Sequence, residues 1–481
     1  MTDVASAPER GVFCNRTLNL RGIQAVGYDM DYTLLHYNVA EWEGEAFESV
    51  RAVLAERGWP VDGFEFDPGA TIQGLVFDLQ LGNLVKATRF GYVIQAYHGT
   101  RRLSYDEVRS AYGATVVDLA EDRFRFTNTN FSLSEESLFT QLVDLLDADA
   151  LPGVMNYADL YRAMADALDQ SHAVGDLKAR ILADPDRYLE PDPGVVPTLL
   201  DQRDAGKKLV LITNSEWSYT SAMMTHVVDP QLDEGTWRDL FDLVIVSAAK
   251  PRFFAGNEPA FEVVDTARSL LAPSFGPLES GRVYFGGNAR LVEQSLGLSG
   301  GDFLYVGDHL WGDVHVLKTR LGWRTCLILR ELEAEISDAV DFADDQQELL
   351  RLMDAKAEVE QRLAALRTER LHARRRGEPA PAHYGRDLER AKSQMIALDA
   401  DIAPLVRAAS RIGNAIWGPL MRAGSDKSLF ARQVERHADV YTSRVSNLGF
   451  QTPYGYLRAS RGSLPHDLPD INGGAAGPPA D

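Results

Sequence analysis

The sequence predicts an α/β fold built on a doubly wound parallel sheet, and two observations support this prediction. Short apolar runs that end in Gly, Asp, Asn or Thr occur at 23–31, 207–215, 241–251 and 302–313. Helical stretches, such as 197–206 with its closing glycine, separate these runs along the chain. Strands that alternate with helices form open parallel sheets, and such sheets bind ligands beyond the carboxyl ends of their strands.

The bulk composition excludes several classes of protein. The chain has 481 residues, of which 45% are hydrophobic and 25% charged, as in a globular protein of two or three domains. Its net charge of -21 argues against a general nucleic-acid binder, which needs a broad basic surface. The sequence shows no apolar N-terminal signal and no transmembrane run, and its two cysteines, Cys14 and Cys326, lie far apart. These features predict a reduced, cytoplasmic protein without a membrane span.

A large insertion is expected after the first strand. Residues 32–206 separate the first apolar run from the second, whereas a crossover between parallel strands needs only about a dozen residues. The insertion contains an alternating stretch at 74–99, typical of a β-meander or hairpin, and helical sequence at 135–150 and 157–182. We therefore expect a large inserted α+β cap domain.

A helical hairpin is expected near the C-terminal end. Residues 331–372 are charged and helical, a turn-rich break follows at 373–385, and a second helical run covers 386–411. The apolar residues that repeat at helical spacing in the first run are Val359, Leu363 and Leu366.

These features divide the chain into five predicted parts. They are an N-terminal arm with the first core strand at 1–40, the inserted cap domain at 41–190, the remainder of the core at 191–335, the hairpin and a C-terminal extension that packs on the core at 336–465, and a Gly- and Pro-rich disordered tail at 466–481. The cap would cover the strand ends, exclude water and select the substrate.

Two carboxylates follow the first strand at close spacing. In the stretch VGYDMDYTLLH, Val26 to His36, Asp29 and Asp31 are separated by one residue. Like charges at this distance repel, and each carboxylate needs solvation or a partner. One interpretation is a polar loop after a strand. The other is that a cation lies between the carboxylates and that one of them does chemistry.

Hydrolysis of a phosphate ester would use residues at the ends of all four strands. A carboxylate attacks phosphorus, Mg²⁺ bridges nucleophile and phosphate, a second acid protonates the leaving group, and polar or cationic groups hold the phosphate oxygens. Asp29 is the candidate nucleophile and a metal ligand, and Asp31 is the candidate general acid and base, whose backbone carbonyl is a further metal ligand. Thr213 and Asn214 are candidate hydrogen-bond donors to the phosphate, and Lys250 supplies positive charge. Asp308 is a candidate metal ligand, and Asp313 either orients the metal ligands or pairs with Lys250. The structural alternatives are turn residues and, for Asn214, a helix cap.

The same strand ends carry motifs in a recognisable order. DMDYTL, ITNS, the isolated Lys250 and GDHLWGD resemble the four motifs of the haloacid dehalogenase superfamily, namely DxDxT, a strand-end Thr or Ser, a Lys, and GDxxxxD. This resemblance implies a Rossmann-like core sheet and an Mg²⁺-dependent phosphatase.

Longer stretches narrow the resemblance. VFCNRTLNLRGIQAVGYDMDYTL, GLVFDLQLGNLVK and WGPLMRAGSDKSLFARQVERHADVY are similar to the cytosolic purine 5'-nucleotidase family of the IMP- and GMP-preferring type. Members hydrolyse purine nucleoside monophosphates, some transfer the phosphate to another nucleoside, and many form dimers or tetramers. The resemblance therefore implies a nucleoside monophosphate substrate, bound Mg²⁺ and a homo-oligomer.

The resemblance also implies base-binding positions in the cap. Phe131 aligns with the residue whose ring stacks on the base, and the other aligned positions are Asp169, His172 and Lys178. An arginine that contacts the purine in better-known members aligns with Ala165, which implies a weaker preference for IMP and GMP. Phe131 could instead be a core residue, and His172 and Lys178 could be solvated helical residues.

Two alternatives to a nucleotidase stay open on the sequence alone. One is a phosphatase for another small phosphomonoester, in which the cap selects the substrate. The other is a catalytically silent relative that binds nucleotide or partner proteins. A silent relative would tolerate loss of Asp29 or Lys250, and this sequence keeps both.

Overall fold

The computed structural model describes residues 7–174 and 176–460, and the side chains of the same residues except 172–174 and 176. The predicted tail at 466–481 and the first residues of the predicted N-terminal arm lie outside this part of the chain. Within it, no helix is both long enough and apolar enough to cross a membrane.

The strands and helices follow one another along the whole described chain. The strands are β1 (Val12–Cys14), β2 (Leu18–Asn19), β3 (Ala25–Tyr28), β4 (His36–Tyr37), β5 (Val76–Asp78), β6 (Asn83–Ala87), β7 (Val93–His98), β8 (Arg101–Arg102), β9 (Phe124–Phe126), β10 (Leu189–Glu190), β11 (Lys208–Ile212), β12 (Leu243–Val246), β13 (Ala260–Asp265), β14 (Leu270–Pro273), β15 (Arg282–Gly286), β16 (Phe303–Gly307), β17 (Arg324–Ile328), β18 (Arg422–Ala423), β19 (Asp426–Lys427), β20 (Val440–Thr442) and β21 (Tyr456–Leu457). The α-helices are α1 (Val39–Glu56), α2 (Tyr105–Tyr112), α3 (Leu133–Asp147), α4 (Tyr157–Val174), α5 (Asp176–Ala183), α6 (Pro185–Tyr188), α7 (Val195–Asp204), α8 (Trp217–Val227), α9 (Arg252–Ala255), α10 (Ala289–Leu296), α11 (Val316–Arg320), α12 (Leu332–Asp341), α13 (Ala343–Arg375), α14 (Tyr384–Ala409), α15 (Leu429–His437) and α16 (Asn447–Phe450).

A ten-stranded sheet forms the centre of the fold, with the strand order β1-β20-β17-β16-β3-β11-β12-β15-β13-β14. The strands from β20 to β15 run parallel, and this confirms the predicted α/β class. The sheet edges are antiparallel, which the sequence did not predict: β1 pairs with β20, and β13 pairs with β14 and β15. The four strands predicted from apolar runs are neighbours, so their carboxyl ends meet at one edge of the sheet.

The central strand β3 is buried on both faces, which explains its uninterrupted apolar run. Val26 and Tyr28 lie in one hydrophobic cluster, and Ala25 lies in the cluster on the opposite face. Gly27 permits a close approach, because a Cβ atom at this position would lie 2.8 Å from the ring of Tyr305 on β16.

The insertion leaves and re-enters the core at one point. Strand β4 pairs antiparallel with β10, with Tyr37 opposite Leu189 and His36 opposite Glu190. Between them, β5 to β9 form an antiparallel sheet in the order β8-β7-β6-β5-β9, and the region predicted as a meander supplies three of its strands. Helices α1, α3 and α4 pack together with this sheet around a separate hydrophobic cluster.

The C-terminal region contacts both the core and the cap. Strand β20 completes the core sheet, and the segment before α15 lies against the cap. Lys86 of β6 donates from Nζ to the carbonyl oxygens of Trp417 at 2.6 Å and Pro419 at 2.7 Å. The predicted helical hairpin is present as α13 and α14, although α13 extends to Arg375 and α14 begins at Tyr384, within the predicted break.

Trp417 is expected to be a major stabilising contact between the C-terminal region and the cap. Its side chain is 3% exposed, its Nε1–H donates to the carbonyl oxygen of Ala70 at 2.8 Å, and its ring lies 4.9 Å from that of Tyr97. Trp417→Ala should lower the free energy of unfolding by about 3–5 kcal/mol, as expected when a buried aromatic ring is removed. Phe275→Ala is the control, because Phe275 is 92% exposed. Equal urea midpoints for the two variants would contradict the proposed contact.

Candidate active site

The carboxyl ends of neighbouring parallel strands bring the predicted residues together. Asp29 follows β3, Asp308 follows β16, and Thr213 follows β11. Lys250 lies four residues beyond the end of β12. Because β16, β3, β11 and β12 are adjacent in the sheet, residues that are far apart in sequence meet at its edge.

Three carboxylates form a buried cluster at this edge. One carboxylate oxygen each from Asp29, Asp308 and Asp313 lie within 4.8 Å of one another. The ammonium of Lys250 lies 2.6 Å from Asp29 Oδ2 and 2.8 Å from Asp313 Oδ1. Asp313 therefore pairs with Lys250, as the sequence suggested, and also faces the other two carboxylates directly.

The electrostatics of the cluster follow from burial and charge. Burial raises the pKa of Asp29 to about 7, although the ammonium of Lys250 acts in the opposite direction. Burial, together with the charges of Asp29 and Asp313, raises the pKa of Asp308 well above its ordinary value. Burial alone would lower the pKa of Lys250. The negative charges of Asp29 and Asp313 have the larger effect, so the pKa of Lys250 is raised well above its ordinary value. Three buried carboxylates beside one ammonium carry excess negative charge, and this donor set fits a divalent cation.

A π-helical turn holds Asp313 against the end of β16. The turn spans Leu310–His315, the N–H of Asp313 donates to the carbonyl oxygen of His309 at 2.8 Å, and the N–H of His309 donates to Asp313 Oδ2 at 3.2 Å. A Cβ atom at Gly307 would lie 2.4 Å from Asp313 Oδ2. The glycine of the GD motif is therefore required because the carboxylate lies over its backbone.

Asn214 and Tyr305 fix Lys250. The main-chain N–H of Lys250 donates to Asn214 Oδ1 at 2.7 Å, and Asn214 Nδ2 donates to the carbonyl oxygen of Lys250 at 3.3 Å. The ammonium also donates to the hydroxyl of Tyr305 at 3.2 Å. Thr213 is fully buried, and its hydroxyl accepts the N–H of Ser215 at 3.0 Å. The Asn214 side chain, predicted as a phosphate donor or helix cap, is here engaged with the Lys250 main chain.

Asp31 lies apart from the three-carboxylate cluster. The hydroxyl of Tyr37 donates to Asp31 Oδ1 at 2.5 Å, and the hydroxyl of Ser215 donates to Asp31 Oδ2 at 2.8 Å. The hydroxyl of Tyr37 also lies 3.1 Å from that of Tyr219. Two hydroxyl donors therefore hold the carboxylate of Asp31, and a metal-binding role for this residue would have to use its backbone carbonyl.

One segment of the cap reaches the core beside the cluster. The hydroxyl of Thr129 donates to Asp308 Oδ2 at 3.2 Å. Two residues later, the ring of Phe131 packs edge-on against Tyr32 at 4.7 Å and against Trp42 at 5.8 Å. Phe131 is half-buried and packs against the main hydrophobic cluster, as its core alternative predicts, and stacking of its ring on a base stays a prediction.

The remaining predicted base-binding positions in the cap have different surroundings. Lys178 Nζ pairs with Glu216 at 2.6 Å, lies 3.5 Å from Ser215 Oγ, and lies 4.7 Å from the centre of the Tyr219 ring. It is therefore one hydroxyl away from Asp31. Ala165 and Asp169 lie on α4, where Asp169 is exposed and Ala165 half-buried. The side chain of His172 lies outside the described residues, and the base-binding roles of all these positions stay predictions.

Sequence reasoning missed several residues that support the site. Ser215 could have been found, because it directly follows Asn214 in the strand-end motif. Tyr37, Thr129 and Tyr305 carry no such signal, since their relation to Asp31, Asp308 and Lys250 arises only from the fold.

Comparisons with known proteins show similarity to one family over most of the chain. The model of the 5' nucleotidase family matches residues 12–469. The human and rat proteins named 5'-nucleotidase domain-containing protein 2 are each 34% identical to this chain over 343 residues, which are 68% of this chain. The aligned regions cover 64% of the human protein and 60% of the rat protein, so the chain spans less than two thirds of either. A 5'-nucleotidase domain-containing protein of Dictyostelium discoideum is 28% identical over 487 aligned positions, covering 97% of this chain and 76% of that protein.

Gly307→Ala is expected to disturb the carboxylate cluster. The added methyl group would overlap the Asp313 side chain, and relief of the overlap should lower the free energy of unfolding by about 1–3 kcal/mol. Gly301→Ala is the matched control, because a Cβ atom there meets open space. Thermal unfolding of both variants measures the difference. Identical midpoints would show that Asp313 is not held against the strand end.

Proposed function

The chain belongs to the 5' nucleotidase family, and on this basis we propose that it is a phosphoric monoester hydrolase that cleaves nucleoside 5'-monophosphates. The observation that carries the proposal is the carboxylate cluster of Asp29, Asp308 and Asp313 with Lys250, beside a separately held Asp31. Such an arrangement offers a nucleophile, a cation site and an acid within one site, as hydrolysis through a covalent intermediate requires.

Asp29 is the proposed nucleophile. The N–H of Met30 donates to its Oδ1 at 2.8 Å and Lys250 contacts its Oδ2, so the carboxylate is held in one orientation. An oxygen of Asp29 bonds to phosphorus as the bond between phosphorus and the ester oxygen breaks, which gives an aspartyl-phosphate and a nucleoside. A water molecule then attacks phosphorus, releases phosphate and restores the carboxylate.

Asp31 is the proposed general acid and base. It gives a proton to the leaving ester oxygen in the first step and takes a proton from water in the second. The hydroxyl groups of Tyr37 and Ser215 orient its carboxylate for both transfers. Thr213 and Lys250 supply a hydroxyl and a positive charge for the non-bridging phosphate oxygens.

Asp29 and Asp308, together with the backbone carbonyl of Asp31, are the proposed ligands of Mg²⁺, and Asp313 faces the same cluster. When bound, the ion would offset the repulsion between the nucleophile and the anionic phosphate. The excess negative charge of the buried cluster supports this assignment.

The cap is proposed to select a purine nucleoside monophosphate. Phe131 would contact the base, and Asp169, His172 and Lys178 would meet its polar groups. Because alanine replaces an arginine at position 165, the preference for IMP and GMP over AMP and pyrimidine nucleotides is expected to be smaller than in the family that the sequence resembles. Phosphate transfer to a second nucleoside, a homo-oligomer, a cytoplasmic location and the absence of nucleic-acid partners belong to the same proposal.

Two alternatives to this proposal remain. One is a phosphatase that acts on another small phosphomonoester, and the other is a catalytically silent protein that binds nucleotide or partner proteins. Release of phosphate across purine and pyrimidine monophosphates, with sugar phosphates as comparison, separates the substrates. Activity on p-nitrophenyl phosphate that requires Mg²⁺ and stops with EDTA excludes the silent class.

Asp29→Asn is expected to abolish turnover. The amide is a poor nucleophile and a weaker metal ligand, so release of phosphate should fall by at least about 10⁴-fold in the Mg²⁺-dependent assay. Asp122→Asn is the control, because the Asp122 side chain is fully exposed in the cap and should leave turnover unchanged. Activity of Asp29→Asn within tenfold of the wild type would rule out Asp29 as nucleophile.

Phe131→Ala is expected to separate nucleotide binding from chemistry. Loss of the ring should raise KM for nucleotides by about tenfold, since one aromatic contact with a base is worth ~1–3 kcal/mol, and should spare p-nitrophenyl phosphate. Phe90→Ala, at an exposed cap phenylalanine, is the control. Equal losses on both substrates would indicate a structural role for Phe131 and would contradict the proposed base contact.

A further inference from the structure

The hairpin of α13 and α14 builds its hydrophobic core from its own two helices. In the described chain, one cluster contains Leu349, Leu352 and Ile402, and a second contains Val359, Leu363 and Ala391. Every residue that packs against these two clusters also belongs to α13 or α14. The hairpin therefore projects as a two-helix unit with a single apolar seam.

A second apolar surface lies on the outside of the hairpin, and we call it the outer stripe. Its large side chains are between 46% and 71% exposed, and they are Leu350, Met353, Ile396 and Val406. Small exposed residues continue it along α13 at Ala357 and Ala364. Exposed apolar side chains are common on protein surfaces, but they are usually scattered. When they recur at helical spacing on one face of a helix, they indicate a contact surface.

The residues of both helices fall on the same side of the hairpin. Relative to the seam, Met353 and Val406 occupy the flanking e positions of their heptads, and e positions adjoin each other in an antiparallel pair. Arg362 and Gln394 occupy g positions on the opposite flank of the hairpin. There Nη1 of Arg362 donates to Oε1 of Gln394 at 3.3 Å. The four large residues of the outer stripe therefore lie on one flank of the hairpin, where Asp399, one heptad before Val406 and paired with Lys356 at 2.7 Å, interrupts the apolar surface.

The two ends of the hairpin carry opposite charge. Residues 362–392, at the tip, contain nine arginines and lysines and four aspartates and glutamates. Residues 343–361 and 393–409, at the base, contain three arginines and lysines and eight aspartates and glutamates. A helix as long as α13 spans about 50 Å at 1.5 Å per residue. This length is several times the screening length of about 8 Å in physiological salt, so the two ends act as separate charged patches.

We propose that the outer stripe binds the outer stripe of a second copy of this chain, with the two hairpins antiparallel in a four-helix bundle. A two-helix hairpin leaves one apolar face uncovered, and pairing two such faces gives a bundle with a complete core. The antiparallel arrangement sets the basic tip of each copy against the acidic base of the other, whereas a parallel arrangement would set like charges together. The contact assigns a surface to the homo-oligomer of the proposed function, and it does not depend on the proposed catalytic residues.

The association state of the full chain tests the contact. Sedimentation of the purified protein should show a dimer or a multiple of it, and Leu350→Glu or Met353→Glu should raise the dissociation constant by about tenfold or more, equivalent to ~1.4 kcal/mol. Ala365→Glu, at an exposed position on α13 outside the outer stripe, should leave the constant unchanged. Helix content by circular dichroism confirms that the variants fold.

Charge reversal tests the antiparallel register independently of the apolar face. Changing Arg374, Arg375 and Arg376 to Glu should weaken the association, and changing Asp344, Asp345 and Asp354 to Lys should weaken it as well. Combining the two sets should restore it, because the tip and base would again be complementary. A monomer at all concentrations, or an oligomer unaffected by Leu350→Glu, would overturn the proposal. Failure of the combined reversals to restore association would overturn the antiparallel register.

Discussion

The repulsion among three buried carboxylates is the constraint on which the rest of the site depends. Asp29, Asp308 and Asp313 can share one edge of the sheet only because Lys250 lies between two of them. Lys250 is fixed in turn by the Asn214 side chain on one side and by Tyr305 on the other. The charged groups and their supports come from four adjacent strands, so the parallel sheet is the part of the fold that makes this density of charge possible.

The cap contacts the rest of the protein at several places, one of which is a carboxylate of the cluster. Its two connecting strands, β4 and β10, pair with each other, and Thr129 reaches from the cap to Asp308. The C-terminal region adds a third attachment, since Lys86 of the cap donates to carbonyl oxygens at 417 and 419. The position of the cap is thereby linked to the carboxylate of Asp308, as the proposed substrate-selecting role of the cap would require.

Much of the fold and of the site was predictable from the sequence, for identifiable physical reasons. Parallel strands buried on both faces appear as uninterrupted apolar runs, and their polar ends mark the site, which is how Asp29, Thr213, Lys250 and Asp308 could be selected. Strand β20 was not predicted, because it is only three residues long and enters the sheet from a helical region. Tyr37 and Thr129 were not predicted either, since a hydroxyl that orients a distant carboxylate leaves no periodic trace in sequence.

The pairing of β1 with β20 has a consequence for the order in which the protein can fold. Val12 lies opposite Thr442, so the first strand of the core sheet needs a partner about 430 residues later, and synthesis at about 5–20 residues per second makes it wait for tens of seconds. Strand β3, which precedes Asp29, waits as well, because its neighbours β11 and β16 begin at Lys208 and Phe303. On the ribosome, β1 therefore remains unpaired until residue 442 has emerged, and β3 remains unpaired until residue 212 has emerged. Such a chain depends on protection of these strands during translation, and the carboxylates of Asp29, Asp308 and Asp313 can meet only after residue 313 has been synthesised.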